Sequence, residues 1–202
     1  RLQGAADKLE EARAMLAEEG EEKRKYPKAL KLLQHVEDVM PASRDLRVAM
    51  AECLVKMHKF DDAYQITTAA MRASSRPDTD IIFWRAQALY LRGDFEAAMS
   101  HLRQVLQHDP DNSKCRKQYK TIKLLEKTKK QGNDAFKRGS WEEARQLYTE
   151  CLEIDRENYA FNAKLLCNRS ACLTKLRKYA LAIADATAAI DADRTYVKAY
   201  MR

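Results

Sequence analysis

The pattern of aromatic, small and polar positions repeats five times along the chain. In each copy an aromatic residue is followed three positions later by alanine, and a small residue lies twelve positions before that alanine. The aromatic–alanine pairs are Tyr26/Ala29, Phe60/Ala63, Phe95/Ala98, Trp141/Ala144 and Tyr179/Ala182. The small residues that precede them are Ala17, Ala51, Ala86, Gly132 and Ser170. Small residues let two antiparallel helices approach closely, so each copy predicts a helix hairpin whose second helix begins at the aromatic residue.

The spacing of the copies predicts the architecture. The five alanines are 34, 35, 46 and 38 residues apart, and a period near 34 in helix–turn–helix units resembles tetratricopeptide repeats. The resemblance implies an all-α, right-handed superhelical solenoid of antiparallel helix pairs. We expect three repeats in residues 1–110, a helical connector in residues 111–124, and two repeats with the start of a third in residues 125–202.

Two local features refine this division. Residues 113–138 contain no proline and one glycine, so we expect one long helix that joins the two arrays rigidly. The spacing of 38 adds about four residues near positions 157–163, as a longer loop or as a helix extension. Gly139-Ser140 predicts a turn, and Ser140 followed by Glu143 has the spacing of a capping box that starts the next helix.

Composition narrows the class of protein. Hydrophobic residues make up 46% of the chain and charged residues 33%, with only 5 Gly and 4 Pro, which favours long helices around a core. No apolar run reaches the roughly 20 residues that cross a bilayer, and the first residues do not have the pattern of a secretory signal. The chain starts at Arg1 rather than Met, so we expect a fragment. The five cysteines lack CxxC and zinc spacings, which predicts buried thiols and a cytoplasmic, or also nuclear, protein without a metal or cofactor.

Charge is distributed unevenly. Residues 1–110 hold 17 basic and 18 acidic residues, whereas residues 111–202 hold 20 and 12. The segment 114–138 alone carries ten basic and two acidic residues, which suits an acidic partner. Phosphate backbones would also bind such a field, so nucleic-acid or other anion binding through this helix is the alternative function. Tyr119 is the only aromatic residue between Lys114 and Lys130, so base stacking is not indicated, and we favour a solvated helix face as the explanation of the pattern.

Five polar residues of the second array fall on first helices, where they would face one groove. Lys129 and Asn133 are four residues apart and share a helix face, as do Lys198 and Arg202, and Asn168 lies on the helix between them. Ammonium groups, amide donors and a planar guanidinium are the groups that bind carboxylates. The sequence therefore predicts a site for a peptide that presents several carboxylates.

The segments KKQGNDAF, NAKLLCNRSA and VKAYMR resemble the dicarboxylate-clamp repeats of chaperone adaptors. That family binds the Glu-Glu-Val-Asp C-terminal tails of the 70-kDa and 90-kDa heat-shock chaperones. The resemblance implies that Lys129, Asn133, Asn168, Lys198 and Arg202 form the clamp. Phe136 and Ala171, each one turn after a clamp amide, would hold the apolar side chain of the tail.

The whole chain resembles the middle of type-C J-domain co-chaperones that carry tetratricopeptide repeats. Such proteins carry a J domain after this region, whose His-Pro-Asp triplet is absent here. The groove positions of the first array are Ala14, Glu18, Ala49, Asp80 and Trp84; none is cationic, so we expect no carboxylate there. No catalytic motif occurs, so we predict a binding scaffold rather than an enzyme, with no catalytic residue and no small-molecule substrate. A purely structural spacer remains the further alternative.

Overall fold

The computed structural model describes residues 1–18, 25–74 and 76–202, and these residues form eleven helices and no strand. The helices are α1 Leu2–Ala17, α2 Lys25–Glu37, α3 Arg44–Lys56, α4 Phe60–Ala73, α5 Thr79–Leu91, α6 Phe95–His108, α7 Ser113–Lys137, α8 Trp141–Ile154, α9 Tyr159–Lys175, α10 Tyr179–Ala192 and α11 Val197–Tyr200. Four of the five predicted aromatic residues begin a helix, and Tyr26 is the second residue of α2. The predicted all-α fold is confirmed.

Four of the hairpin turns share one backbone conformation. Each has three residues, and the middle one has a positive φ: His58 (58°), Gly93 (85°), Gly139 (80°) and Arg177 (59°). In the turn that contains Arg177, the backbone N–H of Lys178 donates to the carbonyl of Leu173 at 2.9 Å. This is the hydrogen bond of a Schellman helix end. Glycine adopts this conformation freely, so the predicted turn at Gly139 is confirmed, and Gly93 occupies the same position of another turn. His58 and Arg177 occupy the same position without glycine.

The first hairpin departs from the repeat pattern. Ala51, Ala86, Gly132 and Ser170 are buried as predicted, but Ala17 is exposed at the end of α1. In its place Ala12 is fully buried. Seven residues separate α1 from α2 along the sequence, whereas three separate the helices of each other hairpin. Counting twelve positions from Ala29 therefore gave a residue at the end of α1 rather than the buried Ala12.

The extra residues in the spacing of 38 extend α9, the first helix of the fifth hairpin. α9 has 17 residues, whereas α3 and α5 have 13. Its start is fixed by buried Asn158, whose side-chain oxygen accepts from the backbone N–H of Phe161 at 3.1 Å. The same side chain donates to the carbonyl of Tyr90 at 2.9 Å. Of the two interpretations of the longer spacing, the helix extension is therefore correct.

The predicted capping box at the start of α8 is wrong. Ser140 occupies the N-cap position, but its side chain makes no capping hydrogen bond. Glu143 is instead held by Arg138, whose Nη2 lies 3.3 Å from the carboxylate. A nearby guanidinium competes for the glutamate more strongly than a backbone N–H, because both partners carry full charges.

The chain divides into two compact units, one of residues 1–89 and 96–115 and the other of residues 90–95 and 116–202. α7 is a single helix of 25 residues, as predicted for this segment. The repeat boundaries at residues 110 and 125, and the rigid joining of the arrays, stay predictions. The five cysteines are all buried and unpaired, as predicted, and burial raises the pKa of Cys53, Cys115, Cys151 and Cys172 to about 11.

Candidate functional site

A pocket in the second unit collects most of the predicted binding residues. It has a volume of about 180 Å³ and is lined by Asn133, Phe136, Lys137, Tyr148, Asn168, Ala171 and Arg202. This is smaller than the roughly 300–1,000 Å³ of sites for drug-sized ligands. It has room for a chain end or a side chain. No carboxylate belongs to this lining, and two of the lining residues are cations.

Five of the seven predicted residues lie in this lining, and two lysines do not. The Lys129 ammonium lies 5.1 Å from the centroid of the Phe161 ring, one turn along α7 from the pocket. Lys198 is exposed on α11, and its backbone carbonyl accepts from the Cys167 thiol at 3.7 Å. The sequence indicates the helix face on which a lysine lies. It does not indicate where the ammonium group lies, because the four-carbon side chain is flexible.

The orientation of Asn133 is set by a residue that the sequence analysis missed. The Tyr148 hydroxyl donates to Oδ1 of Asn133 at 2.7 Å. Burial raises the pKa of Tyr148, so the hydroxyl keeps its proton and acts as the donor. With Oδ1 occupied, the Asn133 amide presents its N–H groups as the free donors, which suits a carboxylate.

The position of Tyr148 in the repeat could have identified it from the sequence. It lies four positions after the repeat alanine Ala144, where Leu33 and Leu102 occupy the same position of other repeats and are fully buried. A tyrosine at a buried position must find a hydrogen-bond partner for its hydroxyl. Lys137, also missed, is four residues after Asn133 and therefore on the same face of α7.

Gly132 makes room for the Tyr148 ring. A Cβ atom on Gly132 would lie 2.8 Å from Cε1 and 3.1 Å from Cδ1 of Tyr148. The small residue of this repeat therefore serves both the close helix approach predicted from the sequence and the position of the tyrosine beside Asn133.

The apolar side of the pocket is built by Phe136 and Ala171. The Phe136 ring packs edge-to-face against Trp141, with centroids 4.7 Å apart, and Ala171 is almost completely buried on α9. Both lie one turn beyond a predicted clamp amide, so an apolar side chain next to a bound carboxylate would contact them.

A partly buried ion pair fixes the helix that carries Asn168. The adjacent Arg169 donates through Nε and Nη2 to the two oxygens of Asp185 at 2.7 and 2.8 Å, and through Nη1 to Thr149 at 3.0 Å. Bidentate pairs of this kind constrain both partners. The pair therefore ties α9 to α8 and α10 and limits movement of the pocket wall.

The first unit contains a related arginine with a different partner. Arg85 donates through Nε to Nε2 of His101 at 3.1 Å and through Nη1 to Thr68 at 2.5 Å. Its guanidinium carbon lies 3.9 Å from the centroid of the Tyr64 ring. His101 follows Arg85 by sixteen residues, as Asp185 follows Arg169, so an imidazole stands where the second unit has a carboxylate. Burial and the Arg85 charge both lower the pKa of His101.

The groove positions predicted for the first array carry acidic and apolar groups. Asp80 is exposed and pairs with Arg44 at 2.6 Å, and Arg44 also contacts Asp78. Ala49 is buried, and Trp84 packs edge-to-face on Phe83 with centroids 5.3 Å apart. These five positions therefore present no cation to a carboxylate.

Neither a metal cluster nor a membrane span occurs in the part of the chain that the structure describes. No group of three or more His, Cys, Asp or Glu side chains is arranged to hold an ion there. No described helix is both long and apolar enough to cross a bilayer.

Helix hairpins of this length, with small residues where the helices approach, define a helical-repeat scaffold. A family model described as "Tetratricopeptide repeat protein 21 ARM repeat" matches residues 1–136. The chain therefore belongs to the TPR/ARM repeat family. The TPR domain of P58(IPK) has a similar solved structure, with a TM-score of 0.67 and 22% identity over 96% of this chain and 54% of that one, which bears on the fold alone.

Two curated relatives are informative. DnaJ homolog subfamily C member 7 from Homo sapiens is 36% identical over 187 residues, which are 93% of this chain and 38% of that protein. The Hsp70/Hsp90 co-chaperone CNS1 from Saccharomyces cerevisiae is 35% identical over 79 residues, 39% of this chain and 20% of that protein. The predicted resemblance to type-C J-domain proteins is confirmed, and the chain is a tetratricopeptide-repeat scaffold similar to co-chaperones. It spans less than two-fifths of its J-domain relative.

Proposed function

We propose that the pocket of the second unit binds the carboxylate end of an acidic peptide. The observation that carries the proposal is that Asn133, Asn168 and Arg202 line one small pocket that has no carboxylate in its lining. The amides supply donors and the guanidinium supplies a planar fork. Each charge-assisted hydrogen bond of this kind contributes about 1.5–3 kcal/mol when well formed, and less where it is solvated.

Lys129 and Lys198 complete the clamp in this proposal. Neither belongs to the pocket lining, but Lys129 lies one turn from Asn133 and Lys198 lies four residues before Arg202. A lysine has a flexible stem, so both ammonium groups reach a ligand by rotation of their own side chains. Lys129 would give up its contact with Phe161, which costs about 0.5–1 kcal/mol at a partly exposed site.

The peptides that fit are the Glu-Glu-Val-Asp C-terminal tails of the 70-kDa and 90-kDa heat-shock chaperones. Such a tail offers a terminal carboxylate, further acidic side chains, and a valine for the apolar wall of Phe136 and Ala171. The similarity to the yeast Hsp70/Hsp90 co-chaperone CNS1 supports this class of partner. The protein acts in this proposal as a non-enzymatic cytoplasmic scaffold that needs no cofactor.

Replacement of one pocket amide by its isosteric acid tests the proposal. Asn168→Asp keeps the shape of the side chain but places a negative charge against the ligand. We expect affinity for a tail peptide, measured by calorimetry, to fall more than about tenfold. Gln131→Glu is the matched control, because it adds the same charge at an exposed position of α7 and should change affinity less than about twofold. Equal effects of the two substitutions would contradict the proposal.

The exposed basic face of α7 supports a second candidate function, the binding of nucleic acid or another polyanion. Its residues follow one another at spacings of three and four and are all exposed: Arg116, Lys120, Lys123, Lys127 and Lys130. Polyanion binding through this face would depend steeply on salt. It would be insensitive to Lys198→Ala and to amidation of a peptide end, whereas tail binding responds to both.

A further inference from the structure

A lysine outside the predicted clamp has the same relation to the pocket as Lys129. Lys164 precedes Asn168 by four residues on α9, as Lys129 precedes Asn133 on α7. Residues four apart share a helix face, about 6 Å apart along the axis. Asn133 and Asn168 line one pocket, so both lysines lie about one turn from it.

Each of the two lysines has a contact that locates its ammonium group. The Lys129 ammonium lies 5.1 Å from the centroid of the Phe161 ring, and Phe161 is one turn before Lys164 on α9. The Lys164 ammonium lies beside the turn between α5 and α6, 3.4 Å from the position that a Cβ atom on Gly93 would occupy. Glycine leaves that ammonium uncovered by any side chain at position 93.

The surroundings of Lys164 favour an external carboxylate. Phe161 packs on Phe95 with ring centroids 4.5 Å apart, so an aromatic wall lies beside the lysines. Lys164 is half-buried, and among the described residues it forms no ion pair. A partly desolvated cation without a carboxylate partner gains more from an incoming anion than a fully solvated one does.

We propose that Lys164, next to the clamp lysine Lys129, binds an acidic side chain of the peptide whose chain end occupies the pocket. The inference rests on the proposed function and adds a specificity-determining residue to it. An extended peptide advances about 3.3 Å per residue, so two residues span about the same distance as one helix turn. The partner of Lys164 is therefore the glutamate two residues before the terminal residue of the tail.

A double-mutant cycle tests this assignment. The chain and its Lys164→Ala variant are titrated at low salt with the tail peptide, and with a peptide in which that glutamate is replaced by glutamine. We expect each single change to weaken binding about three- to tenfold, and the two together to weaken it no more than the larger single effect. Lys164→Arg should retain most of the affinity.

The control is Lys120→Ala, which removes the same charge on the opposite side of α7 from Lys129, about 180° around the helix, and should change affinity less than about twofold. Additive effects of Lys164→Ala and the peptide change, or binding unaltered by Lys164→Ala, would overturn the assignment while leaving the proposed function in place. Failure of the unaltered chain to bind the tail would overturn both.

Discussion

Gly132→Ala perturbs the pocket through a single added methyl group. Alanine is normally better than glycine inside a helix, by about 0.5–1 kcal/mol. Here the new Cβ would lie 2.8 Å from Cε1 of Tyr148, whereas carbon atoms pack best at about 3.5–4.0 Å. The ring must therefore move by more than half an ångström, although Tyr148 is only 2% exposed.

The magnitude follows from two opposing effects. Overpacking of a core costs about 1–3 kcal/mol, which exceeds the helix-propensity gain, so we expect the variant to be less stable by about 0.5–2 kcal/mol. Movement of the ring also breaks the 2.7 Å hydrogen bond to Asn133. Loss of that orientation, worth about 1 kcal/mol, should weaken tail binding about fivefold.

Urea unfolding and calorimetry with the tail peptide measure the two effects separately. Gly4→Ala is the matched control, because nothing lies within 4 Å of a Cβ atom on Gly4 in α1, and it should leave stability unchanged or raise it by up to about 0.5 kcal/mol. In the Tyr148→Leu background, Gly132→Ala should become neutral or favourable. A Gly132→Ala variant that is more stable than the parent and binds equally well would refute the reasoning.

Three further predictions concern neighbouring features. Tyr148→Phe should weaken tail binding about fivefold in calorimetry, because Asn133 loses its orienting donor, while unfolding free energy falls by about 1 kcal/mol or less; unchanged affinity would argue against this role. Arg177→Gly should raise the unfolding free energy in urea by about 0.5–1 kcal/mol, since glycine adopts the positive φ of that turn without steric cost. Burial and Arg85 lower the pKa of His101 from its usual 6.5, so the folded state favours the neutral imidazole. The contribution of this residue to the unfolding free energy should therefore be complete above pH 6.5 and decline as the pH falls toward the lowered pKa of the folded state. Urea unfolding at pH 7.5 and 5.5 measures this decline, which His101→Asp should remove; equal decline in the variant would contradict the assignment.

The repeat pattern predicted the helices because each hairpin obeys the same local physics. Ala144 must be small wherever two helices cross closely, and Gly139 marks a turn whose positive φ glycine adopts freely. Arg177 carries no such signal, because its conformation is imposed by the helices on either side of it. The number of residues between α1 and α2 differs from that in the other hairpins, so counting from Ala29 indicated Ala17 instead of the buried Ala12.

The candidate site was only partly predictable for a different reason. Helix periodicity predicts that Asn133 and Asn168 face the same side, and they line one pocket. It does not predict the side-chain rotamer, so the contact of Lys129 with Phe161 could not be anticipated. The role of Tyr148 depends on a hydrogen bond between helices, which no spacing within one helix encodes.

The affinity of the chain for a Glu-Glu-Val-Asp peptide with a free C-terminus, compared with the same peptide amidated at that end, tests the central claim most directly. Amidation removes the terminal charge and leaves every side chain in place. If the pocket holds the chain end, calorimetry should show at least about a tenfold loss of affinity. Equal affinity for the two peptides would contradict the account.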